Sequence, residues 1–244
     1  MLPATTLPDA IAALAPNGRL RAAINFGNTV LASRDPVTGE PGGISADLAR
    51  ELADRLRVPI EFVRYEGAGS VVQALKANAW DVCFLAIDPL RAADIAFTAA
   101  YAVIEGVYMV AETSSFHRNM DVDRAGTRVG VIAGSAYDLF LTRELKHAAI
   151  VRATDAEAVM DLWLSGKLDA VAGVKLQLET DAARVGGLRL LPEQFMAINQ
   201  AMGTPRGRDA GARYLSAFVD EMKMGGFVAR AFARNRITGA IMAQ

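Results

Sequence analysis

Three short apolar runs, residues 21–26, 59–63 and 81–87, alternate with stretches of helical period, and that alternation leaves few folds open to the chain. Between the first two runs Leu48, Leu52 and Leu56 recur at i, i+4 and i+8, one face of a helix, with Ser45 placed as its N-cap. Between the second and third, Ser70 caps a helix carrying Val71, Val72 and Leu75. Strand, helix, strand, helix, strand in this order predicts parallel pairing, because the crossovers bring helices back over both faces of the sheet. The intervening residues 27–43 hold Asp35-Pro36 and Pro41-Gly42-Gly43 and read as a long Gly/Pro-rich loop.

A second series follows an apolar strand at 106–110 and a polar connection at 112–119. It reads as a strand at 129–132, a helix at 135–145, a strand at 149–152, a helix at 155–164 and a strand at 169–174. A further apolar run at 196–202 precedes Gly203, Pro205 and Gly207, and residues 210–232 read as one long amphipathic helix. At 244 residues the chain has length for two lobes or for one large α/β domain.

Composition removes several functions. Apolar residues make up 52% of the chain, enough for a substantial core, and the formal net charge of −1 comes with no basic stripe of the kind nucleic acid requires. Charges interrupt every apolar stretch well before the ~18 residues of a membrane span. The opening segment MLPATTLPDAIAALAPNGRL lacks the basic start and continuous apolar core of a signal peptide. Cys83, flanked by Val82 and Phe84, reads as a buried structural thiol. His117 and His147 lie in polar contexts without partners at metal spacing. No nucleophile, metal or phosphate-loop motif is present, so neither cofactor nor turnover is expected.

Two elements suit an anion. Arg91 follows the 81–87 run and Pro89, at the carboxyl end of a strand, where ligands of open α/β sheets gather. Its planar fork of donors matches a carboxylate. Gly134-Ser135 opens a helix in the second series, where backbone N–H groups and the helix dipole favour negative charge. Each has a plainer alternative: Arg91 pairs with Asp88 or Asp94, and Ser135 serves only as an N-cap.

The segment holding Asp81, Arg91, Phe97, Thr98 and Tyr101 resembles the arginine-bearing signature of the family 3 solute-binding proteins, the polar amino-acid receptors of bacterial ABC transporters. The resemblance extends through Gly18-Arg19-Leu20-Arg21, Gly43-Ile44-Ser45-Ala46-Asp47-Leu48-Ala49, Ala74-Leu75-Lys76-Ala77 and Arg128-Val129-Gly130-Val131-Ile132-Ala133-Gly134-Ser135. It implies a two-lobed α/β protein of the type II periplasmic-binding-protein fold, each lobe a mainly parallel sheet flanked by helices. Lobe 1 would be residues 1–111 with 201–244 and lobe 2 residues 112–200, with hinge crossings near 108–113 and 196–202.

The resemblance also implies a function: capture of a small carboxylate-bearing metabolite, amino acid or organic acid, for ABC-type uptake. A permease is the implied partner, the periplasm the implied location, and a monomer the expected state. The ligand would meet Arg91, Ala86, Phe84, Asn25, Phe26 and Asn28 from one lobe, and Gly134, Ser135, Ala136, Tyr137, Gly173 and Val174 from the other.

One departure bears on the substrate. In the amino-acid receptors an aspartate receives the ligand's α-ammonium at the position occupied here by Val174, which Lys175 follows. A buried ammonium without acceptors is costly. Either Glu66 or Glu105 replaces the missing acid, or the ligand has no α-amine. Phe84 and Ala86 likewise stand where the family often carries small hydroxyl residues. Two alternatives remain open: an enzyme on the same scaffold, resembling cyclohexadienyl dehydratases with Glu105 as general acid, and a cytosolic sensor or scavenger.

Overall fold

The computed structural model describes residues 6–244; residues 1–5, which open the segment read for a leader, lie outside them. The chain forms two compact units. Unit 1 takes the chain up to Ala102, then Asn199–Ile237 and Ile241–Gln244, and unit 2 takes Val103–Ile198 with Thr238–Ala240.

The first stretch runs α1 (Leu7–Leu14), β1 (Leu20–Asn25), β2 (Ser33–Arg34), β3 (Pro41–Gly42), α2 (Gly43–Leu56), β4 (Ile60–Tyr65), α3 (Ala68–Leu75) and β5 (Val82–Ala86). A single 3-10 turn, Arg91–Ala93, then leads into β6 (Ile95–Ala111), which carries the chain out of unit 1. Unit 2 continues with β7 (Arg128–Ile132), α4 (Ala136–Glu144), β8 (Ala149–Ala153), α5 (Ala156–Leu164), β9 (Ala170–Val174), α6 (Lys175–Val185) and β10 (Leu188–Leu190). The chain returns through β11 (Met196–Pro205) and ends in α7 (Asp209–Met224), α8 (Phe227–Arg234) and β12 (Ile241–Met242).

In unit 1 the strand order is β4-β1-β5-β11-β6. β1 pairs parallel with both β4 and β5, while β11 lies antiparallel to β5, with Gly203 opposite Cys83. All five residues of β5 are buried, the expected state of a strand covered on both faces. Ala23, Val71, Trp80, Cys83, Leu85 and Ile95 form its core, and the Trp80 indole N–H donates to the Val71 carbonyl at 2.9 Å, so the ring is buried without an orphaned donor. In unit 2, β7 pairs parallel with β8 and β9, and β9 lies antiparallel to β6. Val107, Met109, Val159, Met160, Leu168, Val171 and Leu178 make a separate core.

The same clasp ties β1 to the start of β5 in unit 1 and β7 to the start of β9 in unit 2. The Arg21 guanidinium grips the Asp81 carboxylate through Nε and Nη2 at 2.9 and 2.8 Å, and the Arg21 backbone N–H adds a third bond at 3.1 Å. Arg128 treats Asp169 identically, at 2.9, 2.9 and 2.8 Å. The fourth bond is repeated too: Nη1 reaches a carbonyl of the turn before the acid, Asn78 in one case and Gly166 in the other.

Several elements differ from the sequence reading. Residues 27–43 contain the small antiparallel hairpin of β2 and β3. α2 begins at Gly43, not Ser45. Gly43 has φ +83°, and a Cβ there would come within 2.5 Å of the Leu31 carbonyl oxygen, so the helix starts where only glycine fits. Ser45 is the third residue of the helix, buried, with its hydroxyl 3.3 Å from the Tyr101 hydroxyl. Ser70 also lies inside its helix, which starts at Ala68 after Gly67. The strand expected at 106–110 is the end of the 17-residue β6. The single helix expected at 210–232 is broken at Gly225-Gly226, where Gly226 has φ +72°. Ser135 and Asp155 do cap their helices, accepting from the N–H groups of Asp138 and Ala158.

Candidate functional site

In unit 1 the carboxyl ends of the parallel strands β4, β1 and β5 share one edge of the sheet; Asn25 and Ala86 end β1 and β5, Phe26, Asn28 and Arg91 follow those ends, and Phe84 lies two residues inside β5. Asn25 ends β1. It is 9% exposed, and its side-chain oxygen accepts from the Gly27 N–H at 3.1 Å, a local turn bond. Asn28 continues the turn, its N–H donating to the Asn25 carbonyl, and its own side-chain oxygen is buried without a hydrogen-bond partner. Leaving such an acceptor unmatched costs about 1–3 kcal/mol.

Arg91 lies five residues past the end of β5 and is only 3% exposed. Its Nη1 donates to the Ala86 carbonyl, the last residue of β5, at 3.1 Å. Burial pulls the guanidinium pKa down, and the Asp88 charge opposes that fall. Asp88 is itself buried and turns the loop, its carboxylate accepting from the Leu90 N–H at 2.9 Å. Phe84 is 3% exposed and packs edge-on against Tyr101, ring centroids 6.4 Å apart, in the core of the unit.

Phe26 stands differently. Its ring face carries the Arg34 guanidinium, with Cζ 4.2 Å from the centroid, and Arg34 Nη2 also donates to Glu66 Oε1 at 2.6 Å. Sequence reasoning named Phe26 and Glu66 but not Arg34, whose partnership depends on the β2–β3 hairpin.

In unit 2 the carboxyl end of β7 leads into Gly134, Ser135, Ala136 and Tyr137 at the start of α4. Ser135 Oγ accepts from the Asp138 N–H at 3.1 Å, and Asp138 Oδ2 accepts from the Gly134 N–H at 2.8 Å. The helix start therefore already holds a carboxylate, which Arg152 Nε steadies from the other side at 2.9 Å. Ala136 and Tyr137, the first residues inside the helix, have no carbonyl partner within it for their N–H groups. Tyr137 is 7% exposed, and burial pushes its phenol pKa up.

Gly173 is buried on β9 opposite Val107, and Val174 both ends that strand and precedes α6 without a side-chain cap. Glu105 accepts from Lys175 Nζ at 2.6 Å. Both acids considered as partners for a ligand amine are therefore engaged within the chain. A depression of about 490 Å³ in unit 2 is lined by Glu105, Val107, Lys175, Glu179 and Leu191 among others, and the expected ligand residues are not among them. Among the described residues no group of three or more His, Cys, Asp or Glu side chains could hold a metal, and no helix is long and apolar enough to cross a membrane.

The family described as "Bacterial extracellular solute-binding proteins, family 3" matches residues 32–234. No curated protein matches. The fold is similar to that of a mutant of ArgBP from T. maritima, with TM-score 0.76, 20% identity, and coverage of 92% of this chain and 98% of that one. It is similar to the amino acid ABC transporter substrate-binding protein AbpA from Streptococcus pneumoniae bound to L-arginine, with TM-score 0.76, 17% identity and coverage of 92% and 97%. It is similar also to the ancestral amino acid-binding protein AncCDT-1, a precursor of cyclohexadienyl dehydratase, with TM-score 0.74, 19% identity and coverage of 95% and 99%.

Proposed function

The chain belongs to the bacterial extracellular solute-binding proteins, family 3, and from that premise we propose that it captures a small carboxylate-bearing metabolite between its two units and hands it to an ABC permease outside the cytoplasmic membrane. The observation that carries this reading is Arg91, a guanidinium held at 3% exposure at the carboxyl end of β5 and anchored to the Ala86 carbonyl. A cation so placed is oriented before any ligand arrives, which reduces the ordering cost of binding. Unit 2 contributes the N-terminus of α4, where the dipole favours a second contact with the same anion. An anion held by both units favours their approach by hinge closure, of which periplasmic binding proteins are an established instance.

The ligand we favour is a carboxylate without an α-amine. Val174 offers no side-chain acceptor for an ammonium, and Glu66 and Glu105 are ion-paired to Arg34 and Lys175. Burying an ammonium without acceptors costs a few kcal/mol, a large part of the roughly 8 kcal/mol of a micromolar complex. Glu105 would also be the general acid of a dehydratase, and its pairing with Lys175 gives that reading no support.

A thermal-shift screen of amino acids beside matched amine-free acids, on wild type and Arg91→Ala, tests the proposal. A ligand at a hundred times its dissociation constant stabilises by about 2.7 kcal/mol, so the wild type should respond to amine-free acids. The Arg91→Ala response should fall by roughly thirtyfold or more in affinity. Equal affinity of the variant would remove Arg91 from the site, and tight binding of an unmodified amino acid would refute the amine-free preference.

A further inference from the structure

We propose that Arg34 fills, from within the chain, a cation site made by the Phe26 ring and the Glu66 carboxylate, and so excludes cationic ligands from this edge of unit 1. The location rests on the receptor reading, since it is that reading which makes the edge a ligand mouth. The site itself stands on geometry alone.

Phe26 and Glu66 each come directly after the last residue of β1 and β4, and the Phe26 N–H donates to the Tyr65 carbonyl at 2.8 Å. The two loops run close together because Gly27 has no side chain: a Cβ there would lie 2.7 Å from the Glu66 carbonyl oxygen and 3.3 Å from the Gly67 Cα. An aromatic face and a carboxylate are thus set side by side, the pair of groups that binds a guanidinium or an ammonium. Arg34, on the two-residue strand β2, supplies the guanidinium, with Cζ 4.2 Å from the Phe26 centroid and Nη2 2.6 Å from Glu66 Oε1.

Exposure decides what this arrangement does. The Arg34 and Glu66 side chains are 45% and 79% exposed, and an ion pair so open to water contributes little to folding. Removing Arg34 therefore costs the fold little and vacates the ring and the carboxylate together. With Arg34 in place, an arriving cation meets like charge and an occupied ring face, a repulsive element of the kind that sets specificity.

The probe is agmatine, which carries a guanidinium and an ammonium but no carboxylate. Calorimetry should give agmatine at least a tenfold tighter complex with Arg34→Ala than with wild type. The gain should disappear in Arg34→Ala/Glu66→Gln and in Arg34→Ala/Phe26→Leu. Arg34→Met, which keeps the aliphatic stem over the ring, should gain less than Arg34→Ala, and it serves as the second variant should the alanine protein fold poorly by circular dichroism. Equal agmatine affinity in wild type and both variants overturns the proposal, as does a gain that survives Glu66→Gln. Amine-free acids titrated into the wild type form a separate arm: their failure to bind would sink the receptor reading and leave the agmatine comparison standing.

Discussion

Asp81 is fully buried and accepts four hydrogen bonds. It accepts from Arg21, and Arg208 Nη1 adds a bond from the far end of the chain at 2.7 Å. Burial alone would raise the carboxyl pKa; the hydrogen bonds from Arg21 and Arg208 outweigh it and hold the value below the ordinary range. Asp81→Asn should therefore cost about 3 kcal/mol in urea unfolding at pH 7, because it leaves two mostly buried guanidinium groups without their counter-charge. The sign with pH follows from the lowered native pKa. The contribution is fully present above the unfolded value of about 4 and is lost as pH falls through the native one, so the gap between wild type and Asp81→Asn closes in acid. A gap that persists or widens there would contradict the assignment. Asp169, 36% exposed against a half-exposed Arg128, makes the same clasp in water, and Asp169→Asn should cost less. Residue by residue, the sequence marks Arg91 and Ser135 as candidates because each sits at a boundary with its own local signature, a Pro turn in one case and a helix cap in the other. It did not expose the partners of Glu66 and Glu105, since Arg34 lies 32 positions and Lys175 70 positions away and no local pattern records such pairs.

Elements were legible where burial and capping left a signature. β5 reads as a strand because both its faces are buried, and α4 reads from Gly134-Ser135. α6 escaped because Val174 precedes it without a side-chain cap. The first eleven residues of β6 escaped because Ala96, Ala99, Ala100 and Ala102 interrupt the run of strong strand formers. The break between α7 and α8 shows how far a backbone angle outweighs periodicity: apolar spacing continues through it, yet Gly226 at φ +72° turns the chain and α8 starts anew. Gly226→Ala places a side chain in the left-handed region, and the added Cβ meets only the movable end of Arg230 at 3.1 Å. Its expected cost is about 1 kcal/mol, from backbone strain alone. Urea unfolding checks this, and an unchanged midpoint would mean that the helices tolerate fusion.

For the whole molecule, the two-unit capture proposed above has a consequence that neither unit alone can produce. Hydrogen exchange followed by mass spectrometry, with and without a saturating acid found in the screen, should slow around the Arg91 turn of unit 1 and also around the first turn of α4 in unit 2. Protection confined to unit 1 would refute capture by both. In Arg91→Ala the protection should be lost from both places together.

Both described ends of the chain, α1 and β12, belong to unit 1, and apart from Thr238–Ala240 unit 2 is one stretch entered through β6 and left through β11. The Ala243 N–H even bonds the Tyr101 carbonyl, stitching the last residues onto the strand that leads outward. A pull on the two ends therefore loads unit 1 and these contacts first, and reaches the body of unit 2 only through β6 and β11. Mechanically, the body of unit 2 is the part loaded last, a stretch of folded chain whose first and last strands, β6 and β11, begin and end in unit 1.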